Sequence, residues 1–105
     1  MRSSRDEAFN VFKKLMDDGV LVRLAGTIAA ITFSVDGRIA SAADGRLHIR
    51  GRGSTGFLDL SEIEAEFEYA ESRELPEGFR DDAISTFWQI TLPAGFVVLA
   101  EFRRR

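Results

Sequence analysis

The chain reads as an α+β fold in which an N-terminal helix packs on a curved antiparallel sheet, a meander or partial barrel of six to seven strands. Three observations predict it. Apolar residues recur every three or four positions only as far as Gly19, they alternate from Val20 onward, and Asp-Gly and Pro-Ala-Gly bends punctuate the alternating runs. With 105 residues, 45% of them hydrophobic and only two prolines, a core can form within a single domain over residues 1–105.

The helix is placed at residues 4–18. Ser4-Arg5-Asp6-Glu7 has the Ser-x-x-Glu spacing of a capping box, in which side chains satisfy the free amides of the first turn. Ala8, Phe9, Phe12, Leu15 and Met16 make one stripe, while Arg5, Lys13, Lys14 and Asp17 stay off it. Gly19 can take the left-handed conformation that ends a helix.

Strands are expected over residues 20–26, 27–35, 38–43, 46–51, 62–70, 84–92 and 96–103, the first two as one long strand bent at a bulge on Gly26. Asp36-Gly37 and Asp44-Gly45 each suit a two-residue hairpin turn, whose central positions both need positive φ. The first turn would pair Phe33 with Ala40 and Ile31 with Ala42; the second would pair Ala42 with Leu47 and Ala40 with Ile49. Both registers put apolar side chains on one face, which a slip of one residue would destroy. The middle strand then offers alanines to the core and leaves room for Phe9 and Phe12.

Leu92-Pro93-Ala94-Gly95-Phe96 reads as a three-residue hairpin loop with Leu92 facing Phe96. That register pairs Ile90 with Val98 and Trp88 with Ala100 on the core face, and leaves Phe87, Gln89, Thr91, Val97, Leu99 and Glu101 on the reverse. So apolar a reverse face must be covered by another element or by another subunit. Residues 62–70 alternate Ile63, Ala65, Phe67 and Tyr69 with Glu62, Glu64, Glu66 and Glu68 as a strand would, although Ser61-x-x-Glu64 has the spacing of a helix cap and leaves a helix as the alternative, and the stretch from Ser72 to Asp82 reads as a loop.

Composition excludes several chemistries. No cysteine is present, so disulfides, thiolate zinc sites and cysteine nucleophiles are excluded, and a single histidine rules out a two-histidine metal site in one subunit. No apolar run reaches the length of a signal peptide or a membrane span, so a cytoplasmic location is expected, with no membrane partner. A net charge of -3 opposes nucleic-acid binding, although Arg50, Arg52 and Arg103-Arg104-Arg105 supply local positive charge. Gly51-Arg52-Gly53-Ser54-Thr55-Gly56 matches the spacing of a dinucleotide loop, but the residues that follow alternate as a strand. No helix would aim its N-terminus at a phosphate, so the stretch is an inter-strand loop.

Two surfaces remain as candidates. Arg46, His48 and Arg50 share one strand face, with Ser41 and Thr32 expected across from them, a polar cationic group able to receive a small anionic ligand. Alternatively, the four glutamates could lie alongside and pair with those arginines. Phe87, Gln89, Val97 and Leu99 on the reverse of the last hairpin are the expected interface of a homo-oligomer. No complete catalytic set, metal site or cofactor motif is visible. The chain therefore reads as a non-catalytic binding or interaction module, with a small-ligand site or small enzyme around Arg46, His48 and Arg50 as the alternative.

Overall fold

A computed structural model describes residues 1–103; of the C-terminal arginines, Arg104 and Arg105 lie outside the described residues. The described residues form β1 (Arg2–Ser3), α1 (Arg5–Asp17), β2 (Leu21–Ile28), β3 (Ile31–Ala43), β4 (Arg46–Arg50), β5 (Thr55–Asp59), β6 (Glu66–Glu71), a 3₁₀ turn at Ser72–Glu74, β7 (Ile84–Leu92) and β8 (Gly95–Phe102). All eight strands join one antiparallel sheet in the order β1-β6-β7-β8-β2-β3-β4-β5. The expected six to seven strands become eight, because β1 and β5 were not anticipated.

The helix forms where its cap places it. Glu7 N–H donates to Ser4 Oγ at 3.2 Å and Ser4 N–H donates to Glu7 Oε1 at 3.0 Å, and Gly19 exits with φ of 65°. The bond from the Ser4 amide, and after it the Ser4 hydroxyl, hold the Glu7 carboxyl below its ordinary range. Ala8, Phe9, Phe12 and Leu15 are buried against the inner face of the sheet. Phe12 lies edge-on to Trp88 at 5.6 Å, and Phe9 lies edge-on to Phe67 at 6.1 Å. The helix touches both β3 and β6, which stand four strand spacings apart in the sheet. Four spacings span about 19 Å, more than a helix diameter, so the sheet curls around α1.

The first hairpin turns at Ala29-Ala30, not at Asp36-Gly37. Both alanines have positive φ, 50° and 67°, and β3 runs unbroken through Asp36 and Gly37. Its first half pairs with β2 and its last part with β4. Two tertiary demands explain the Asp-Gly pair within a strand. Asp36 sits opposite Arg23 and bonds it, and a Cβ on Gly37 would run into the Arg50 carbonyl of β4. Gly26 likewise marks no bulge; it lets β2 approach the Phe96 carbonyl of β8.

Asp44-Gly45 does make the β3–β4 turn, with φ of 55° and 77° and Ala42 opposite Leu47. A bulge at Ala40 then shifts the register, so Ile49 faces Ile39 in place of the expected Ala40, and Ile39 enters the core. Ile31, expected in the core, lies 67% exposed beside the Ala29-Ala30 turn.

The last hairpin has a two-residue turn, Pro93-Ala94, with Leu92 opposite Gly95, so every pair slips by one from the expected register. Gly95 is used by β8 itself, because it pairs with Ile28 of β2, where a Cβ would strike the Thr27 carbonyl. The slip puts Ile90 opposite Val97 and Trp88 opposite Leu99, so Val97 and Leu99 join the main core beneath α1. The reverse face carries Phe87, Val98 and Ala100, and the segment from Ser72 to Asp82 covers it. Leu75 is buried against Ile84, Phe87, Val98 and Ala100, and Phe79 packs edge-on to Phe96 at 5.3 Å.

Arg23 ties that segment to the sheet. Its Nε and Nη2 donate to the Asp36 carboxylate at 2.6 and 3.0 Å, its Nη1 donates to Asp81 Oδ2 at 2.8 Å, and its guanidinium lies 5.1 Å from the Phe102 ring centre. The ion pairs raise the Arg23 pKa further above its ordinary value. No described helix is long and apolar enough to cross a membrane.

Candidate functional site

The segment from Ser72 to Asp82 covers the outer face of β7 and β8 and leaves that of β4, β5 and the C-terminal part of β3 open. Alternation along β4 points Arg46, His48 and Arg50 outward while Leu47 and Ile49 fill the core. Cross-strand pairing then builds the face. Arg38 stands opposite Arg50 and Ser41 opposite His48 on one side, with Thr55 opposite Arg50, Phe57 opposite His48 and Asp59 opposite Arg46 on the other.

Arg46, His48, Arg50 and Ser41 thus come together, as the strand register implied. Thr32 does not join them. It lies nine residues before Ser41 on the same strand, roughly 25–30 Å away, and lines a separate concavity of about 300 Å³ with Arg23, Ser34, Phe79 and Arg80. Its hydroxyl is within 3.2 Å of Thr27 Oγ1. The acidic strand stays apart too, because β7, β8, β2 and β3 separate β6 from β4.

Three residues of the face escaped the sequence reading. Phe57 lies edge-on to His48, ring centres 6.2 Å apart, and is 64% exposed. Arg38 reaches back to the Gly19 carbonyl at 3.0 Å. Asp59 accepts from Arg46 Nε at 3.4 Å and from the Ser61 hydroxyl and amide at 2.6 and 2.9 Å. The Ser61 bonds, then Arg46, hold the Asp59 carboxyl below its ordinary range. The alternation of Phe57, Leu58 and Asp59 with Thr55 and Gly56 was the available signal for β5, masked by the glycines around it.

The Gly51–Gly56 stretch is a hairpin connection. Gly51 N–H donates to the Ser54 carbonyl at 2.9 Å, and the third glycine of the pattern lies within β5 instead of opening a helix. Among the described residues no three His, Asp or Glu side chains gather as a metal site needs.

The face can therefore hold an anion between guanidinium groups. Among the described residues Arg50 and His48 carry no side-chain hydrogen bond or ion pair, so their donors are available, while the Phe57 ring gives an apolar contact beside them.

Of the interface residues expected on the last hairpin, Val97 and Leu99 lie in the core under α1, Phe87 is buried beneath Leu75, and Gln89 is half-buried. The chain's own loop occupies the place an oligomeric partner was expected to take.

The chain matches no family model, no curated protein and no solved structure at a significant level.

Proposed function

We propose that the chain is a non-catalytic binding module whose working surface is the outer face of β3–β5, and that it recognises a carboxylate or phosphate group. Arg50 and His48 make the contact, Arg46 and Arg38 add positive field, and Phe57 packs against the apolar part of the ligand. The observation that carries the reading is the exposure of Phe57. A 64% exposed phenylalanine, edge-on to a histidine and framed by arginines, sits on the outer face of β3–β5, away from the Leu75 cluster that covers β7 and β8.

The charge distribution supports the same reading. The chain is acidic overall, yet of the outward acids on β3–β5 Asp36 is engaged by Arg23 and Asp59 by Arg46 and Ser61, while Glu66 and Glu68 stand on β6, which four strands separate from β4. An acidic partner is thereby oriented before contact.

Thermal unfolding with two probes, a hexaglutamate peptide and inorganic phosphate, tests the proposal. A ligand that binds only the folded chain raises the midpoint as its concentration passes its dissociation constant. Hexaglutamate alone raising the midpoint assigns the site to acidic peptides; phosphate doing so as well assigns it to anions in general. In either case the shift should vanish in the His48→Ala/Arg50→Ala variant. No shift with either probe, or an equal shift in the variant, contradicts the proposal.

A further inference from the structure

The sheet is open at two edges, and they differ. One is β1, two residues long; the other is β5, five residues long, flanking the candidate face. Edge strands in proteins that stay apart are commonly blunted by lysine, proline or a bulge. The sequence of β5, Thr55-Gly56-Phe57-Leu58-Asp59, has no lysine or proline, and its pairing with β4 is regular. Two large side chains on it are incompletely covered, with Phe57 64% exposed on the outer face and Leu58 half-buried on the inner one.

We infer that β5 pairs antiparallel with β5 of a second copy of the chain, about a two-fold axis through Phe57. The strand is complementary to itself in this register. Phe57 meets the second Phe57 on the outer face, so the most exposed aromatic ring is covered by its own mate. On the inner face Leu58 meets Gly56, a position that Leu24 and Val35 line with apolar side chains, twice by symmetry. Thr55 meets Asp59, so no two like charges stand opposite each other.

Charge agrees with this register. Arg50 is paired with Thr55 within the chain, so in the dimer the second copy's Asp59 lies two strand spacings from Arg50, about 10 Å between Cα atoms. An arginine and an aspartate side chain bridge that gap. The two Asp59 carboxylates are separated by about 13 Å along the strands, beyond the screening length at physiological salt. A register shifted by two residues would lose both the Phe57 pair and the Leu58–Gly56 match.

The two-fold axis closes the assembly at two copies, leaving β1 and its mate as the outer edges of a sixteen-stranded sheet. The arginine faces of the two copies then lie side by side with the Phe57 pair between them. This assembly covers Phe57 and occupies Arg50, so it competes with a ligand for those two residues while His48 and Arg46 stay open to an anion. Two five-residue strands make a small interface, so the dimer builds up with concentration.

The chain has no cysteine, so a single introduced thiol reports the register cleanly. Phe57→Cys should form a disulfide-linked dimer on mild oxidation, whereas Thr55→Cys and Asp59→Cys should each crosslink poorly alone and well when mixed. Without crosslinking, light scattering over a concentration series should show wild type passing from monomer to dimer and Phe57→Lys remaining monomeric over at least a tenfold wider range. Mixing Phe57→Lys with Phe57→Glu should restore the dimer, since each charge then meets its opposite on the axis. Phe57 is exposed, so these variants fold. A wild type that stays monomeric throughout, Thr55→Cys crosslinking alone as fast as Phe57→Cys, or a dimer indifferent to Phe57→Lys overturns the inference. An acidic peptide pairing with β5 would appear as hexaglutamate binding to a chain that remains monomeric, which also overturns it.

Discussion

Asp59 and Asp81 hold their carboxyls below the ordinary range by the same local device, a hydrogen bond from two residues on. For Asp59 the Ser61 hydroxyl and amide come first and Arg46 after them; for Asp81 the Ala83 amide comes first and Arg23 second. A carboxyl whose pKa is lower folded than unfolded contributes stability that is present above the unfolded value, about 3.9 for aspartate. That contribution fades as pH falls through the lower folded value. Urea unfolding from pH 6 down to pH 2 should therefore show a steeper acid loss for wild type than for Asp59→Asn or Asp81→Asn. The difference is modest because both carboxylates keep contact with water. Variants whose curves parallel wild type would show these bonds to be energetically neutral. At this scale the sequence was informative where chemistry is local, as at the Ser4–Glu7 box. It was silent where a residue serves a distant one: nothing in the sequence near Arg23 announces Asp36 and Asp81, thirteen and fifty-eight residues away.

Turns carry the largest difference between expectation and structure. A Gly in an Asp-Gly pair has two uses, positive φ in a hairpin or room for a neighbouring strand, and a sequence does not distinguish them. Asp44-Gly45 takes the first use; Asp36-Gly37 takes the second, and the turn falls on Ala29-Ala30, where each residue carries a left-handed conformation at a cost. Ala30→Gly should therefore stabilise the fold by about 1 kcal/mol. Gly37→Ala should destabilise it by more than that, since its Cβ has nowhere to go beside the Arg50 carbonyl. Chemical denaturation of both variants checks the pair; the opposite signs would return the turn to Asp36-Gly37. The Pro93-Ala94 turn teaches the same lesson through burial. A slip of one residue exchanged the faces of β8, and with them the roles of Val97 and Leu99, because pairing of Gly95 with β2 outweighed the local preference for a three-residue loop.

For the whole molecule, the sequence supplied the parts and not their neighbours. One helix with its buried stripe, the period-two strands and the outward set Arg46, His48 and Arg50 were all readable from periodicity, which is a local property. Strand order was not, because β8 pairs with β2 across some seventy residues of chain, and no local pattern encodes that contact. The consequence for function is direct. Strand order sends Glu66 and Glu68 of β6 to one side of the sheet and Arg38, Arg46 and Arg50 to the other, and the loop from Ser72 to Asp82 covers β7 and β8 between them. Following the backbone amide resonances of ¹⁵N-labelled chain during titration with hexaglutamate would show whether the outer face of β3–β5 is the binding surface. Shifts should concentrate at Arg38, Ser41, Arg46, His48, Arg50 and Phe57. Shifts centred instead on the concavity of Arg23, Thr32 and Arg80, or on the groove between Val11 and Tyr69, would contradict that assignment, as would a spectrum that does not change.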